Sequence, residues 1–332
     1  MPFLNTDIPE LTGFDTGLCL SNLDILSARQ DRVSESVLAV LSELADAIIR
    51  DAEGDPDTVD SILLSLQGIA EEGERDTAHP VFADVAPANR EDVARMSARS
   101  DLYARLLLYA MIEKRMPSPP LSRDGKSVSP LPATVRGRIA YMPAAFADKA
   151  YLALSAAVEN PRAAATASFV DACEEVRSGL CEFCILPLEN THSGKLTAFT
   201  RLILRYNLQI HGVCDLENGA SEGQITRFAL LRAAREGDFP TPLRLPPDGE
   251  PLYLELIHTG ASPSLTELLS AAEFCGIRLC RVDTLPRFEE FDEDSLPLSC
   301  VLDVAGGDLS TFRRFLSLEA SEDTVMGLYG SV

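Results

Sequence analysis

The chain has 332 residues, enough for two or three domains, and its 46% hydrophobic and 24% charged residues are the balance of an ordinary globular protein. Its 51 acidic residues against 29 basic ones give a formal net charge of −22. A field of that sign repels phosphate backbones and anionic lipid, which sets the chain against nucleic acid and membrane surfaces as partners. No apolar run approaches the roughly 20 residues that span a bilayer. The opening Met1-Pro2-Phe3-Leu4-Asn5-Thr6-Asp7 lacks the basic start and apolar stretch of a secretory signal, so a cytoplasmic location is expected. Eight cysteines are too sparse for a disulfide scaffold. Cys181 and Cys184 form a lone C-x-x-C with no second pair at zinc-ligand spacing. Three apart on a strand they face opposite sides, so the cysteines read as buried structural residues and no metal or cofactor is expected.

In chain order, Leu26, Val33, Val37, Val40, Leu41, Leu44 and Ile48 recur at helical spacing between about Asn22 and Arg50. Gly54-Asp55-Pro56-Asp57 breaks that helix, and Asp57 or Thr58 caps a second through Ile62, Leu63, Leu66 and Ile69. Asn89 caps a third, with Leu102, Leu106, Tyr109 and Ile112 inward. Residues 1–116 therefore read as a helical bundle that needs a packing partner, in cis or in a dimer. The Pro/Ser/Gly-rich stretch 117–136 reads as a linker.

Residues 137–236 carry an α/β pattern. Strands are expected at Arg138–Met142, Phe183–Leu188, Leu208–Val213 and Thr226–Leu231, with helices through Ala150 to Val158, Phe169 to Arg177 and Leu196 to Tyr206. Such alternation implies parallel pairing under covering helices. Gly237 to Pro251, with five prolines, reads as a second linker. Residues 252–332 then read βαββαβ, the split βαβ or ferredoxin-like order, with strands Leu252–His258, Ile277–Leu285, Leu298–Val304 and Val325–Tyr329 and helices Ser264–Phe274 and Leu309–Leu318. The fold class is multidomain α+β.

Several strings carry a resemblance. Arg138-Ile139-Ala140-Tyr141 with Phe146 looks like an opening strand and Gly-Thr-Phe-Ser turn. Ile185-Leu186-Pro187-Leu188-Glu189-Asn190-Thr191-His192-Ser193-Gly194 looks like Val-Pro-Ile-Glu-Asn-Ser/Thr-x-x-Gly, and Thr226-Arg227-Phe228 is a Thr-Arg-Phe triplet. In this order, between these flanking units, the chain resembles the bifunctional chorismate mutase/prephenate dehydratase (P-protein) family of phenylalanine biosynthesis. The resemblance implies a mutase-like bundle, a periplasmic-binding-protein-like dehydratase and a C-terminal ACT regulatory domain. It assigns Thr226 as the candidate catalytic donor to the leaving hydroxyl, Arg227 as a carboxylate partner and Phe228 as ring packing. Glu189 and Asn190 end a strand where open α/β sheets place ligands, and Thr191, Ser193 and Gly194 present hydroxyls and amides at the following helix N-terminus. A plainer reading stands beside this one. Thr226 and Phe228 share a strand face and pack, Arg227 forms a surface ion pair, and Glu189-Asn190-Thr191 cap a helix.

Four departures shape the functional expectation. Ser27 and Leu44 stand where the mutase class has arginines, and Glu53-Gly54-Asp55 where a lysine is expected, so mutase activity is not expected. Ala144, Ala145 and Ala147 replace the glycine, threonine and serine of the opening turn. Only 12 residues separate Val213 from Thr226, where the family inserts a complete second lobe, and 218–223 looks like the replacing turn. Ser264 and Leu265 fall where the ACT phenylalanine site has its Gly-Ala-Leu signature, and Asp283 begins the string standing for Glu-Ser-Arg-Pro. These positions are the regulatory candidates. The expectation is a catalytically degenerate relative acting as a small-molecule- or partner-binding regulator, as a homodimer, with prephenate, phenylpyruvate or a phenylalanine-like molecule as ligand. The alternative is an active minimal dehydratase whose cleft another domain or subunit completes.

Overall fold

The computed structural model describes residues 38–64, 102–117, 134–217, 223–234, 239–247, 249–260, 263–288, 291 and 296–332. The expectations at Ser27, Leu66, Ile69, Asn89, most of the first linker and residues 218–222 lie outside these.

Helices α1 (38–51), α2 (56–64) and α3 (102–115) come first. Asp55 caps α2, its carboxylate accepting from Thr58 N at 3.0 Å, two residues earlier than the expected cap. The next region holds β1 (Arg138–Tyr141), α4 (Ala145–Ser155), β2 (Arg162–Ala165), α5 (Phe169–Arg177), β3 (Phe183–Asn190), β4 (Gly194–Lys195), α6 (Thr197–Arg205), β5 (Leu208–Glu217) and β6 (Ile225–Ala233). Helix α5 follows from its sequence. Ser168 accepts from Asp171 N, Asp171 and Arg177 complement the helix dipole, and Ala172, Cys173 and Val176 form the buried stripe. Strand β2 escaped the sequence reading because Arg162-Ala163-Ala164-Ala165 has none of the β-branched or aromatic residues that mark strands.

The last region is β7 (Tyr253–His258), α7 (Leu265–Phe274), β8 (Arg278–Thr284), β9 (Leu298–Asp303), α8 (Leu309–Glu319) and β10 (Thr324–Tyr329). Its strands lie in the order β10-β7-β9-β8, all neighbours antiparallel, which is the split βαβ arrangement.

All the strands join one mixed ten-stranded sheet, in the order β2-β1-β3-β6-β5-β10-β7-β9-β8, with β4 on β3. Two expectations change here. The α/β region is only partly parallel: β1 pairs parallel with β2 and β3, while β3–β6 and β5–β6 are antiparallel. The sheets of the α/β region and the tail are also continuous, through Gly327 paired with Ile210 and a bridge from Val213 to Ser331. A Cβ on Gly327 would sit 2.4 Å from the Ile210 carbonyl oxygen, so only glycine lets β10 approach β5.

The helices share a core with the tail. Among the described residues one buried cluster runs from Ala45, Ile48, Val59, Leu102, Leu106 and Ile112 to Leu254, Leu256, Leu268, Leu302, Phe312 and Phe315. The interface carries charge too. Arg314 of α8 donates to Glu113 at 2.7 Å and pairs with Asp60, and Glu319 accepts from Arg105 at 3.0 Å and from Tyr109 at 2.7 Å. The proline-rich stretch after β6 is packed rather than free. Phe239 and Leu245 lie against the helical core, and Leu243 N donates to His211 O at 2.9 Å.

Candidate functional site

The junction of the two sheet halves holds a partly open cavity of about 130 Å³. Strand β3 gives it Leu188 and Glu189, β4 Lys195 and β6 Arg227. The tail gives Tyr253 and Glu255 from β7, Cys280 and Arg281 from β8, Val301 from β9 and Tyr329 from β10. Two β-bulges aim these residues. The register shifts between Pro187 and Glu189 in β3, and between Leu279 and Arg281 in β8. A bulge breaks strict alternation, so Leu188 with Glu189 and Cys280 with Arg281 all line the same space.

At the inner end, Glu255 is almost wholly enclosed, with 4% of its side chain exposed. Lys195 donates to its carboxylate and to Ser299, Ser299 donates to the same carboxylate at 3.1 Å, and Tyr329 donates to its other oxygen at 2.8 Å. Burial pushes the Glu255 carboxyl up, but Lys195, Tyr329 and Ser299 together outweigh that and hold it below the ordinary carboxylate range. Burial and the adjacent carboxylate push the Tyr329 phenol well above its usual value, so it stays a donor.

At the outer end, Arg227 grips Asp215 through two hydrogen bonds of 2.7 and 2.8 Å and donates to Glu189 at 2.8 Å. Arg281 reaches the other Glu189 oxygen at 2.7 Å, and its Nε lies 2.7 Å from Asp283. Asp215 keeps the Arg227 guanidinium charged despite burial, and Glu189 and Asp283 do the same for Arg281 against its own burial. Lys195, Arg227 and Arg281 line the cavity with Glu189 and Glu255, while Asp215 and Asp283, outside the lining, complete the pairing of the two arginines.

The sequence-predicted residues separate. Glu189 and Arg227 meet at the cavity. Thr226 and Phe228 lie on the other face of β6, where Phe228 is buried and its ring meets Phe146 edge-on at 5.6 Å. Asn190 Oδ1 accepts from the backbone of His192 and Ser193 at 3.0 and 2.6 Å, closing the β3–β4 turn, with Gly194 at φ +68° completing it. Thr191 Oγ1 accepts from Ile225 N at 3.1 Å. The short β4 intervenes before α6, which begins at Thr197 with Leu196 as N-cap, so the helix N-terminus does not receive Thr191, Ser193 or Gly194. Ser264 forms a capping box with Glu267 on α7, Leu265 begins that helix, and Asp283 stands at the outer rim through Arg281.

Lys195, Glu255, Arg281, Ser299 and Tyr329 were missed. One signal was available: Glu255 sits between Leu254 and Leu256 in a strand otherwise apolar or aromatic up to His258, and a buried carboxylate there requires a partner. The C-x-x-C also differs from expectation. Cys181 precedes β3, so strand alternation does not govern it, and Cys181 and Cys184 share one core with Cys173. Burial and the Glu175 carboxylate, to which it donates at 2.9 Å, push the Cys181 thiol up to about 12. Among the described residues no group of three or more His, Cys, Asp or Glu is placed to hold a metal ion, and no helix is long and apolar enough to cross a membrane.

No family model matches the chain, and no curated protein matches it. Solved structures do. A prephenate dehydratase from Streptococcus mutans is similar at 17% identity and a TM-score of 0.45, over 58% of this chain and 98% of that one. The prephenate dehydratase of Arthrobacter aurescens in complex with L-Phe matches at 12% identity and 0.42, over 58% and 90%. GqqA, described as a novel type of quorum quenching acylase, matches at 16% identity and 0.42, over 59% and 95%. All three likenesses are coarse.

Proposed function

We propose that the chain is a dehydratase-like protein that binds a small molecule or partner as a regulator in aromatic amino-acid metabolism and does not carry out the dehydration. One observation carries this reading. β5 and β6 form a direct hairpin, paired from Leu208 with Ala233 to Glu217 with Ile225, at the point where a two-lobed dehydratase inserts its second lobe. A single lobe cannot close over prephenate and exclude water from both its faces.

The placement of side chains agrees. A proton donor must come within about 3 Å of the leaving oxygen while cations hold the carboxylates of the same molecule. Thr226 and Arg227 point to opposite faces of β6, and of the two only Arg227 lines the cavity. Three of the five N–H donors of Arg227 are already committed to Asp215 and Glu189, and its charge is matched there. The cavity therefore suits binding better than turnover of a dianion. In this reading the helices are a mutase-like unit that has lost its cations, and the βαββαβ tail is an ACT-like unit. Pairing of two copies through these parts is part of the same proposal.

The binding half is tested by melting temperature with prephenate, phenylpyruvate and phenylalanine. A ligand at 100 times its Kd adds about 2.7 kcal/mol of stability, a readily measured rise. At least one of the three is expected to produce it, and a flat response to all three removes aromatic amino-acid metabolism from the proposal.

A further inference from the structure

The seam cavity has a feature that a passive ion network does not need: one of its ion pairs can open without stranding a charge. Glu189 divides its carboxylate, one oxygen on Arg227 and the other on Arg281. If Arg281 lets go, Glu189 keeps Arg227 and Arg281 keeps Asp283. Arg281 is also the most exposed cation of the site, at 41%, whereas Lys195 is at 11% and locked between Glu255 and Ser299. Both members of the movable pair sit at the two bulges, in contact with each other at the cavity wall.

Resting on the binding role proposed above but not on its aromatic ligands, we infer that this cavity recognises the zwitterionic head of a short-chain, uncharged α-amino acid. The ligand inserts between Arg281 and Glu189. Its carboxylate accepts from the Arg281 guanidinium, and its ammonium donates to the Glu189 oxygen that Arg281 has released, so each protein charge exchanges one partner for another of the same sign. Leu188, Tyr253 and Val301 form the apolar wall for the side chain. Charge selects the class: Lys195, Arg227 and Arg281 are each already matched by carboxylates, so the network accepts a neutral zwitterion by exchange and holds no spare cation for a second carboxylate. Size narrows it further. A cavity of about 150 Å³ encloses a benzene ring, so the space of about 130 Å³ at this seam encloses an amino-acid head with a few side-chain carbons. The ring of phenylalanine would remain at the mouth.

Cys280 supplies a local readout, because its exposed thiol lines the cavity beside Arg281, while Cys181 and Cys275 are buried with thiols pushed up to about 12. The experiment follows iodoacetamide alkylation of Cys280 in the full chain, read by mass spectrometry of its peptide, with alanine, valine, phenylalanine, the 2-keto acid of valine and isobutylamine as probes. Alanine or valine is expected to slow alkylation at least fivefold at millimolar concentration, phenylalanine less, and the keto acid and amine not at all. Glu189→Gln is expected to raise the alanine concentration that gives half-maximal protection at least tenfold. Arg281→Lys, which keeps the charge but loses the planar fork, raises it by less. Unchanged alkylation with every amino acid overturns the inference, as does equal protection by the keto acid or full protection of Glu189→Gln. Prephenate turnover would break the proposed function, yet it would not produce amino-acid protection of Cys280, so the two failures are separable.

Discussion

Two charged networks lie on opposite faces of the β10-β7-β9-β8 sheet, and the contrast separates a candidate site from a structural lock. On the helical face, Arg314 is held by Glu113 and Asp60, sealing α8 to α2 and α3. On the other face, Lys195 is held by Glu255 and Ser299, and it shares a partly open cavity with the ion pair of Glu189 and Arg281. Burial raises both of their carboxyls, yet the net shifts are opposite. Desolvation raises the Asp60 carboxyl above its ordinary value even beside Arg314, whereas the deeper Glu255 is lowered because three side chains donate to it. Depth alone does not set the charge state; the number of donors does.

The largest test of this comparison is Lys195→Met, which strands Glu255 and is expected to lose roughly 3–5 kcal/mol in urea unfolding. Arg314→Met should lose a similar amount while leaving Cys280 as reactive as in the wild type. If Arg314→Met also changes Cys280 reactivity, the two networks are coupled and the division fails. Next comes Gly327→Ala, which forces a Cβ onto the Ile210 carbonyl. It should cost about 1–3 kcal/mol and speed amide exchange in β5 and β10 before β7 and β9. Uniform exchange across the sheet would mean that the seam is not its weak joint.

How much of this was legible follows from where each signal sits. The strands from β5 onward, and α5, α7 and α8, stood out because their apolar periodicity is local. The continuity of the sheet was not legible, since it depends on Gly327 meeting Ile210 across 117 positions. The site was half legible. Glu189 and Arg227 came with their motifs, while Arg281 depends on a bulge, and a bulge leaves no mark in residue type. Asn190, Thr191 and Ser264 were read toward ligand chemistry, and their side chains prove to close a turn, tie a loop and cap a helix.

Ser264→Ala sharpens that last point. Losing the capping box should cost about 1 kcal/mol and leave Cys280 protection by amino acids unchanged; altered protection would restore Ser264 as a regulatory residue. The smallest effect is in acid. Glu255, lowered when folded, contributes stability that is complete above its ordinary 4.5 and is lost as pH falls through its depressed value. Asp60, raised when folded, works the other way and gains as pH falls from its raised value toward 3.8. Glu255→Gln should therefore flatten the acid limb of the stability curve and Asp60→Asn should steepen it; the same slope in both variants would contradict the contrast.

The proposal that this chain does not dehydrate prephenate meets its sharpest test in phenylpyruvate formation from prephenate by the folded full chain, with Thr226→Ala run beside it. No turnover is expected in either protein. Turnover in the wild type that Thr226→Ala abolishes would contradict the proposal, and would mean that another surface completes the cleft.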